Sequence, residues 1–190
     1  MVYLEKIGIS SMCNCFNLLV FNAPKLTQVE DNFLQNSSVR VKEVGPYFLS
    51  DNRTLGVFKA DCLEVINNDF LPDASMLMTL NIPLVRTIGD NSLISLLLLK
   101  MFDAPSLERV GRNCLRDVLS VVRINTPKLE EANDSFLKNC FDLTEINIPK
   151  LKRGGDSCLV YANKLKRFDA PSLKHVGNQF LENAYELEDF

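Results

Sequence analysis

Residues 165–186 read LKRFDAPSLKHVGNQFLENAYE, and most of the chain repeats this 22-residue stretch. Its opening leucine returns as Leu55, Leu77, Leu99, Val121, Leu143, Leu165 and Leu187, every step being 22 residues. Six equal steps indicate a solenoid of stacked supersecondary units that share one elongated core.

Each unit has a physical reading. In Phe168-Asp-Ala170 apolar and polar residues alternate, which predicts a short half-buried strand with Phe168 and Ala170 inward. Proline at Pro83, Pro105, Pro127, Pro149 and Pro171 lacks an amide donor and fixes φ, so it ends that strand and turns the chain. A second short strand follows, with Leu173 and Val176 inward and Lys174 and His175 outward. Glycine at Gly45, Gly89, Gly111, Gly155 and Gly177, with Asn67 and Asn133 in the same slot, marks a corner expected to need positive φ. The most constant position is Leu34, Leu49, Leu71, Leu93, Leu115, Leu137, Leu159 and Leu181, preceded by Phe in most units. Two neighbouring inward residues do not fit a strand, so the pattern predicts a helix of one to two turns. The expected fold class is therefore α/β: a solenoid of 22-residue units, each with two short parallel strands and a short helix.

The whole of 1–190 reads as a single repeat domain. Residues 1–17 form a partial unit, in which Leu4, Ile7, Gly8 and Met12 fall on the positions of Leu173, Val176, Gly177 and Leu181. Residues 18–54 hold two units with a seven-residue deletion, because Val29 to Val44 spans 15 residues where 22 are expected. Six regular units fill 55–186, and 187–190 begin another.

The composition restricts function. A net charge of −3 gives no field strong enough to draw the chain onto nucleic acid or an anionic membrane. No apolar run reaches the roughly 18 residues that span a bilayer, and Met-Val-Tyr-Leu-Glu-Lys is no secretory leader. Neither nucleic-acid binding nor membrane insertion is expected. Cys114 and Cys158 share the slot of Phe70, Phe136 and Phe180 and lie two rungs apart, roughly 10 Å, which is too far for a disulfide. The cysteines read as reduced core residues. With Met1 as the native start this places the chain in the cytoplasm, and as a fragment of a longer chain it belongs at a cell surface or among secreted proteins.

The search for chemistry returns little. His175 stands where neighbouring units have Arg109, Glu131 and Arg153, so it has neither an orienting partner nor a nucleophile at hand. Cys13 and Cys15 make at most half of a zinc site, and Gly154-Gly155 does not fit a phosphate loop. Neither catalytic residues nor a metal or cofactor are expected. Asn81, Asp103, Asn125, Asn147 and Asp169 form an outward column that serves either as a polar strip for a ligand or as a ladder bonded along the stack. Arg109, Glu131 and Arg153 alternate in sign on successive rungs, as do Glu130 and Lys152, and such exposed pairs set register more than they add stability.

The motifs L-x-x-F-x-A/I-P and P-x-L-x-x-V-G-x-x-F-L resemble leucine-rich repeats of the BspA-like class. Leu80-Asn-Ile-Pro83 and Ile146-Asn-Ile-Pro149 resemble that class's I-P motif, and Asn139-Cys140 its late cysteine. The ladder asparagine of the best-known leucine-rich repeats is replaced by Leu107, Leu129, Leu151 and Leu173, and Phe-Leu stands for Ala-Phe. The resemblance implies a binding scaffold of the kind seen in surface adhesins and secreted effectors.

One stretch departs from the polar norm of the exterior. In Leu93-Ile-Ser-Leu-Leu-Leu-Leu99, Leu97 and Leu98 occupy the slots of Asn163 and Lys164. With Met76, Met78, Met101, Leu119 and Val122 on adjacent rungs they form a candidate partner-binding surface. The alternative is a longer helical connector that folds these leucines under itself. The leading functional reading is a non-enzymatic protein-interaction scaffold with a protein partner; the alternative is a spacer segment of a longer array without a site of its own. Unpaired strand edges at both ends also predict end-to-end self-association.

Overall fold

The computed structural model describes residues 6–7, 28–29, 43–44, 49, 53, 55–60 and 63–190. Most of the partial unit 1–17 and of the two units with the deletion lies outside the described residues. Of these units, the strands β1 (Lys6–Ile7) and β2 (Gln28–Val29) are described and pair in parallel, with Ile7 opposite Val29.

The first strand of each unit supplies one face: β4 (Val57–Lys59), β6 (Thr79–Asn81), β8 (Met101–Asp103), β10 (Arg123–Asn125) and β12 (Glu145–Asn147). The second strand supplies another, a seven-stranded parallel sheet of β3 (Glu43–Val44), β5 (Val65–Ile66), β7 (Thr87–Ile88), β9 (Arg109–Val110), β11 (Glu131–Ala132), β13 (Arg153–Gly154) and β14 (His175–Val176). Pairing joins residues 22 apart throughout, as in Phe102, Ile124 and Ile146. The period in the sequence is thus the circumference of one turn of a parallel β-solenoid.

No helix occurs among the described residues, which corrects the α/β expectation. The third side, at 90–95, 112–117, 134–139, 156–161 and 178–183, is a run of turns in which every second residue is left-handed. In one rung these are Asn113, Leu115 and Asp117, at φ 55°, 56° and 59°. Alternation of handedness lets two consecutive residues face inward, and Cys114 and Leu115 are both fully buried. The expectation that both face the core is met by this backbone and not by a helix.

The amides show why. The Asn113 N–H donates to the Asp134 carbonyl on the next rung at 2.8 Å, Leu115 to Ser92 on the previous one at 3.1 Å, and Asp117 to Lys138 at 2.9 Å. Six residues are too few to repay helix nucleation, whereas a stack satisfies the same donors between rungs. A left-handed leucine costs about 1–2 kcal/mol, and full burial of its side chain returns about 1.5–3 kcal/mol. Burial therefore outweighs the strain. The flanking Asn, Asp and Ser tolerate the same φ more readily, because their short polar side chains bond locally.

Replacing a strained residue that makes no side-chain contribution tests this backbone. Ser135 sits at φ 60° and its amide bonds to the Asp156 carbonyl at 2.7 Å. Ser135→Gly trades the left-handed cost for a glycine entropy cost of about 0.5–1 kcal/mol. The expected result is a melting temperature raised by roughly 1–3 °C, read by calorimetry. A lower value would contradict the left-handed assignment.

The corner glycines give the second correction, since none of those among the described residues has positive φ. They are glycine because the chain passes close to the previous rung. A Cβ on Gly111 would lie 2.5 Å from the Asp90 nitrogen and from the Gly89 carbonyl carbon. The next residue then caps the rung above: Asp90 Oδ1 accepts from the Arg112 amide at 2.7 Å and Asp156 Oδ1 from the Asn178 amide at 2.7 Å. These carboxylates replace a backbone acceptor at the corner.

Inside, the inward residues of the second strand shrink along the stack from Ile88 through Val110 and Ala132 to Gly154. The third side compensates in volume, with Ser92 and Cys114 on the first two of these rungs and Phe136 on the third. At Gly154 a Cβ would come within 2.5 Å of the Phe180 ring, so the next rung's aromatic fills the place. Cys114, Cys140 and Cys158 are free and buried, and burial pushes each thiol up, that of Cys158 to about 12. The column Leu93, Leu115, Leu137 and Leu159 is buried, whereas Leu181 on the last rung is partly buried and Val176 is 51% exposed.

Candidate interaction surface

The exterior apolar residues follow from the geometry of the turn that leads the third side back to the first strand. The Leu77 amide donates to the Ala74 carbonyl, Val121 to Val118 and Leu143 to Cys140, at 2.9, 3.3 and 3.2 Å. The two residues that bracket each of these four-residue turns are buried, so the two between them are forced outward. Leu96 and Leu99 hold the bracketing places in their own rung and are fully buried. Leu97 and Leu98 are the central pair, and they are 44% and 41% exposed.

The other residues named from the sequence lie on the same outer edge. Met76, Met78, Met101, Leu119 and Val122 are each exposed, the methionines by half or more. Met101 occupies the register of Arg123 on the next rung, and Met78 precedes Thr79, which pairs with Val57. Leu97 and Leu119 share one column, joined where the Ser120 hydroxyl donates to the Leu97 carbonyl at 2.6 Å. The helical connector that would have covered these leucines is not present among the described residues.

Sequence reading missed two members. Phe141 follows Leu97 and Leu119 in the same 22-residue column, is exposed, and meets exposed Tyr161 edge-on at 6.3 Å. Val57, also exposed, lies at the start of the first strand. The period alone would have found Phe141, because its slot is already apolar in two preceding rungs.

Charged pairs bound the apolar area. Asp142 accepts from Lys164 at 2.7 Å, Arg123 faces Glu145 at 3.6 Å, and Arg116 faces Asp117 at 2.9 Å. The Asp142 carboxylate raises the Lys164 pKa, chiefly through this hydrogen bond. An apolar centre with a polar rim is the composition of a protein-binding patch.

The polar column behaves differently. The Asn125 amide donates to Asp103 Oδ1 at 2.8 Å, and the Asn147 amide to Asn125 Oδ1 at 2.7 Å. These donors are used along the stack, which leaves fewer of them to face a ligand. Asn81 and Asp169 occupy the same slot on the outer rungs of the column.

The second sheet carries alternating charge. Arg109 meets Glu131 at 3.4 Å, and Lys152 meets Glu130 at 2.9 Å, holding the Glu130 carboxyl below its ordinary range through the hydrogen bond and the charge. His175 is exposed and lines a cleft of about 450 Å³ with Asp134, Arg153, Gly154, Gly155, Asp156, Val176 and Gly177. Asp134 Oδ1 and Asp156 Oδ1 already accept backbone amides of the next rung. The cleft has no serine, threonine or cysteine to act as a nucleophile. Among the described residues no three His, Cys, Asp or Glu side chains are grouped to hold a metal, and no helix is long and apolar enough to cross a membrane.

Comparison with known proteins agrees with the architecture. The family model for the BspA type leucine rich repeat region matches six copies over residues 86–190, more than half of the chain. The 22-residue register continues upstream of that match to Leu55. No curated protein and no solved structure matches the chain. This is a repeat family and is not known as an enzymatic one. The chain belongs to the BspA-type leucine-rich repeat family.

Proposed function

We propose that this chain is a non-enzymatic protein-interaction scaffold that receives a protein partner on the apolar outer edge around Leu97 and Leu98. The single observation that carries the reading is the exposure of Met76, Met78, Leu97, Leu98, Met101, Leu119 and Val122 together, on consecutive rungs. Leaving so many large apolar groups in water has a free-energy cost that a partner removes. The solenoid supplies an extended support, because every rung repeats the same turn.

The test replaces the two central leucines with the residues found at their slots in a later unit, Leu97→Asn with Leu98→Lys. Exposed substitutions change stability by about 0.5 kcal/mol or less each. The double variant is expected to melt within roughly 2 °C of the wild type and to lose proteins that immobilised wild-type chain captures from the source extract. A large fall in melting temperature would show that the leucines are core. Equal capture by both would place the binding site elsewhere on the chain, and capture by neither would leave the spacer reading.

A further inference from the structure

Methionine is used in a peculiar way in this chain. There are five methionines, and the three within the described residues, Met76, Met78 and Met101, are all in the apolar outer edge. Among the described residues the buried core contains Leu, Ile, Val, Phe, Ala and Cys and no methionine. The three thioethers are among the most exposed apolar side chains, at 50%, 59% and 57%. Met76 is the second central residue of its turn, Met78 begins the approach to β6, and Met101 opens β8 on the following rung. Two positions and one rung, about 4.8 Å in a parallel sheet, separate them.

We infer that Met76, Met78 and Met101 form an oxidation site, through which a hydroperoxide converts this surface from apolar to polar. The inference rests on the interaction surface proposed above. In each step the sulfur lone pair attacks a peroxide oxygen, an S–O bond forms and the O–O bond breaks. The departing hydroxide, or the alkoxide of an alkyl hydroperoxide, takes the proton from the oxygen now on sulfur and leaves as water or as the alcohol. The methionine loses two electrons and the peroxide gains them. The product is a sulfoxide, a strongly hydrated acceptor on a side chain that was apolar, and methionine sulfoxide reductases reverse the change.

Selectivity follows from burial. The competing nucleophiles among the described residues are Cys114, Cys140 and Cys158, all inside the stack. Their thiol protons are held, since burial raises each pKa and the Cys158 Sγ–H donates to the Asn133 carbonyl at 3.0 Å. Peroxide reacts with exposed thiolate and not with buried thiol. Among the described residues the accessible thioethers are therefore the sulfurs that react while the fold stays intact. Leucine at all three places would preserve the apolar surface, so the thioether is what adds the response.

The experiment treats the full chain with hydrogen peroxide, maps peptides by mass, and reads the surface by retention on phenyl-agarose. One added oxygen is expected at each of the three methionines, together with earlier elution that reductase treatment restores. Met76→Leu/Met78→Leu/Met101→Leu is expected to elute with the untreated wild type both before and after peroxide. Three sulfoxides with unchanged retention, or three methionines that react more slowly than those of an unfolded peptide, would overturn the inference. Leu97→Asn/Leu98→Lys separates this from the reading beneath it. That variant eluting with the wild type would overturn the apolar surface itself; its earlier elution alongside unshifted sulfoxide protein would overturn the oxidation site alone.

Discussion

Truncating Leu137 to alanine is expected to lower the melting temperature by on the order of 10 °C, with about 2–5 kcal/mol lost to transfer and residual cavity. Leu137 is fully buried between Leu115 and Leu159, and its amide bonds to the Cys114 carbonyl at 3.3 Å. Lys138→Ala, one residue on, removes only a partly exposed side chain and is expected to shift the melt by about 1 °C or less. The more telling comparison is Leu137→Gly. In a helix interior, glycine is about 1 kcal/mol worse than alanine. Here Leu137 sits at φ 56°, where alanine keeps the left-handed cost and glycine does not. Leu137→Gly is therefore expected to melt above Leu137→Ala. The reverse order, with alanine the more stable, would restore the helix.

That comparison bears on what was legible in the residues. The stack, the inward residues of both strands and the buried leucine column follow from a period of 22, because a parallel solenoid places repeat-equivalent residues directly opposite one another. The third side was misread from the same residues. The adjacent inward pair Phe136-Leu137 excludes a strand, and a helix was the familiar alternative. The residues two places either side of the constant leucine argue otherwise: Asn113 and Asp117, Asn91 and Ser95, Ser135 and Asn139 are poor helix formers that enter the left-handed region easily. Their amides find acceptors only on other rungs, and no local propensity reports a bond to a residue 21 positions away. The exposed apolar edge was legible because Leu97 and Leu98 stand where a later unit has Asn163 and Lys164. Its extension to Phe141 was missed because the column was followed one rung, from Leu97 to Leu119, and not two.

Gly111→Ala is the second large expected effect, and its sign is opposite to that of a glycine replacement where there is room. Gly111 has ordinary φ, so alanine would gain about 0.4–1 kcal/mol by restricting the unfolded chain if it fitted. It does not fit: its Cβ would press on the backbone of Gly89 and Asp90, at 2.5 Å. Backbone cannot rotate aside as a side chain can, so the rungs must part. Two short bonds cross this place, from the Gly111 amide to the Ile88 carbonyl at 2.8 Å and from the Arg112 amide to Asp90 Oδ1 at 2.7 Å. Overpacking typically costs about 1–3 kcal/mol, which exceeds the entropy gain and leaves a net loss. The chain contains its own comparison in Asn133, which carries a Cβ in this slot. There the amide reaches back to the Val110 carbonyl at 3.2 Å, against 2.8 Å at Gly111 and Gly155. Arg112 also stands below it in place of the capping Asp. The rung has thus already opened where a side chain is present. Calorimetry on Gly111→Ala is expected to show a fall of several degrees, and on Asn133→Gly no fall or a small rise. Equal and small shifts in both would mean that the corner has room for a side chain, and that close approach is not what selects glycine there.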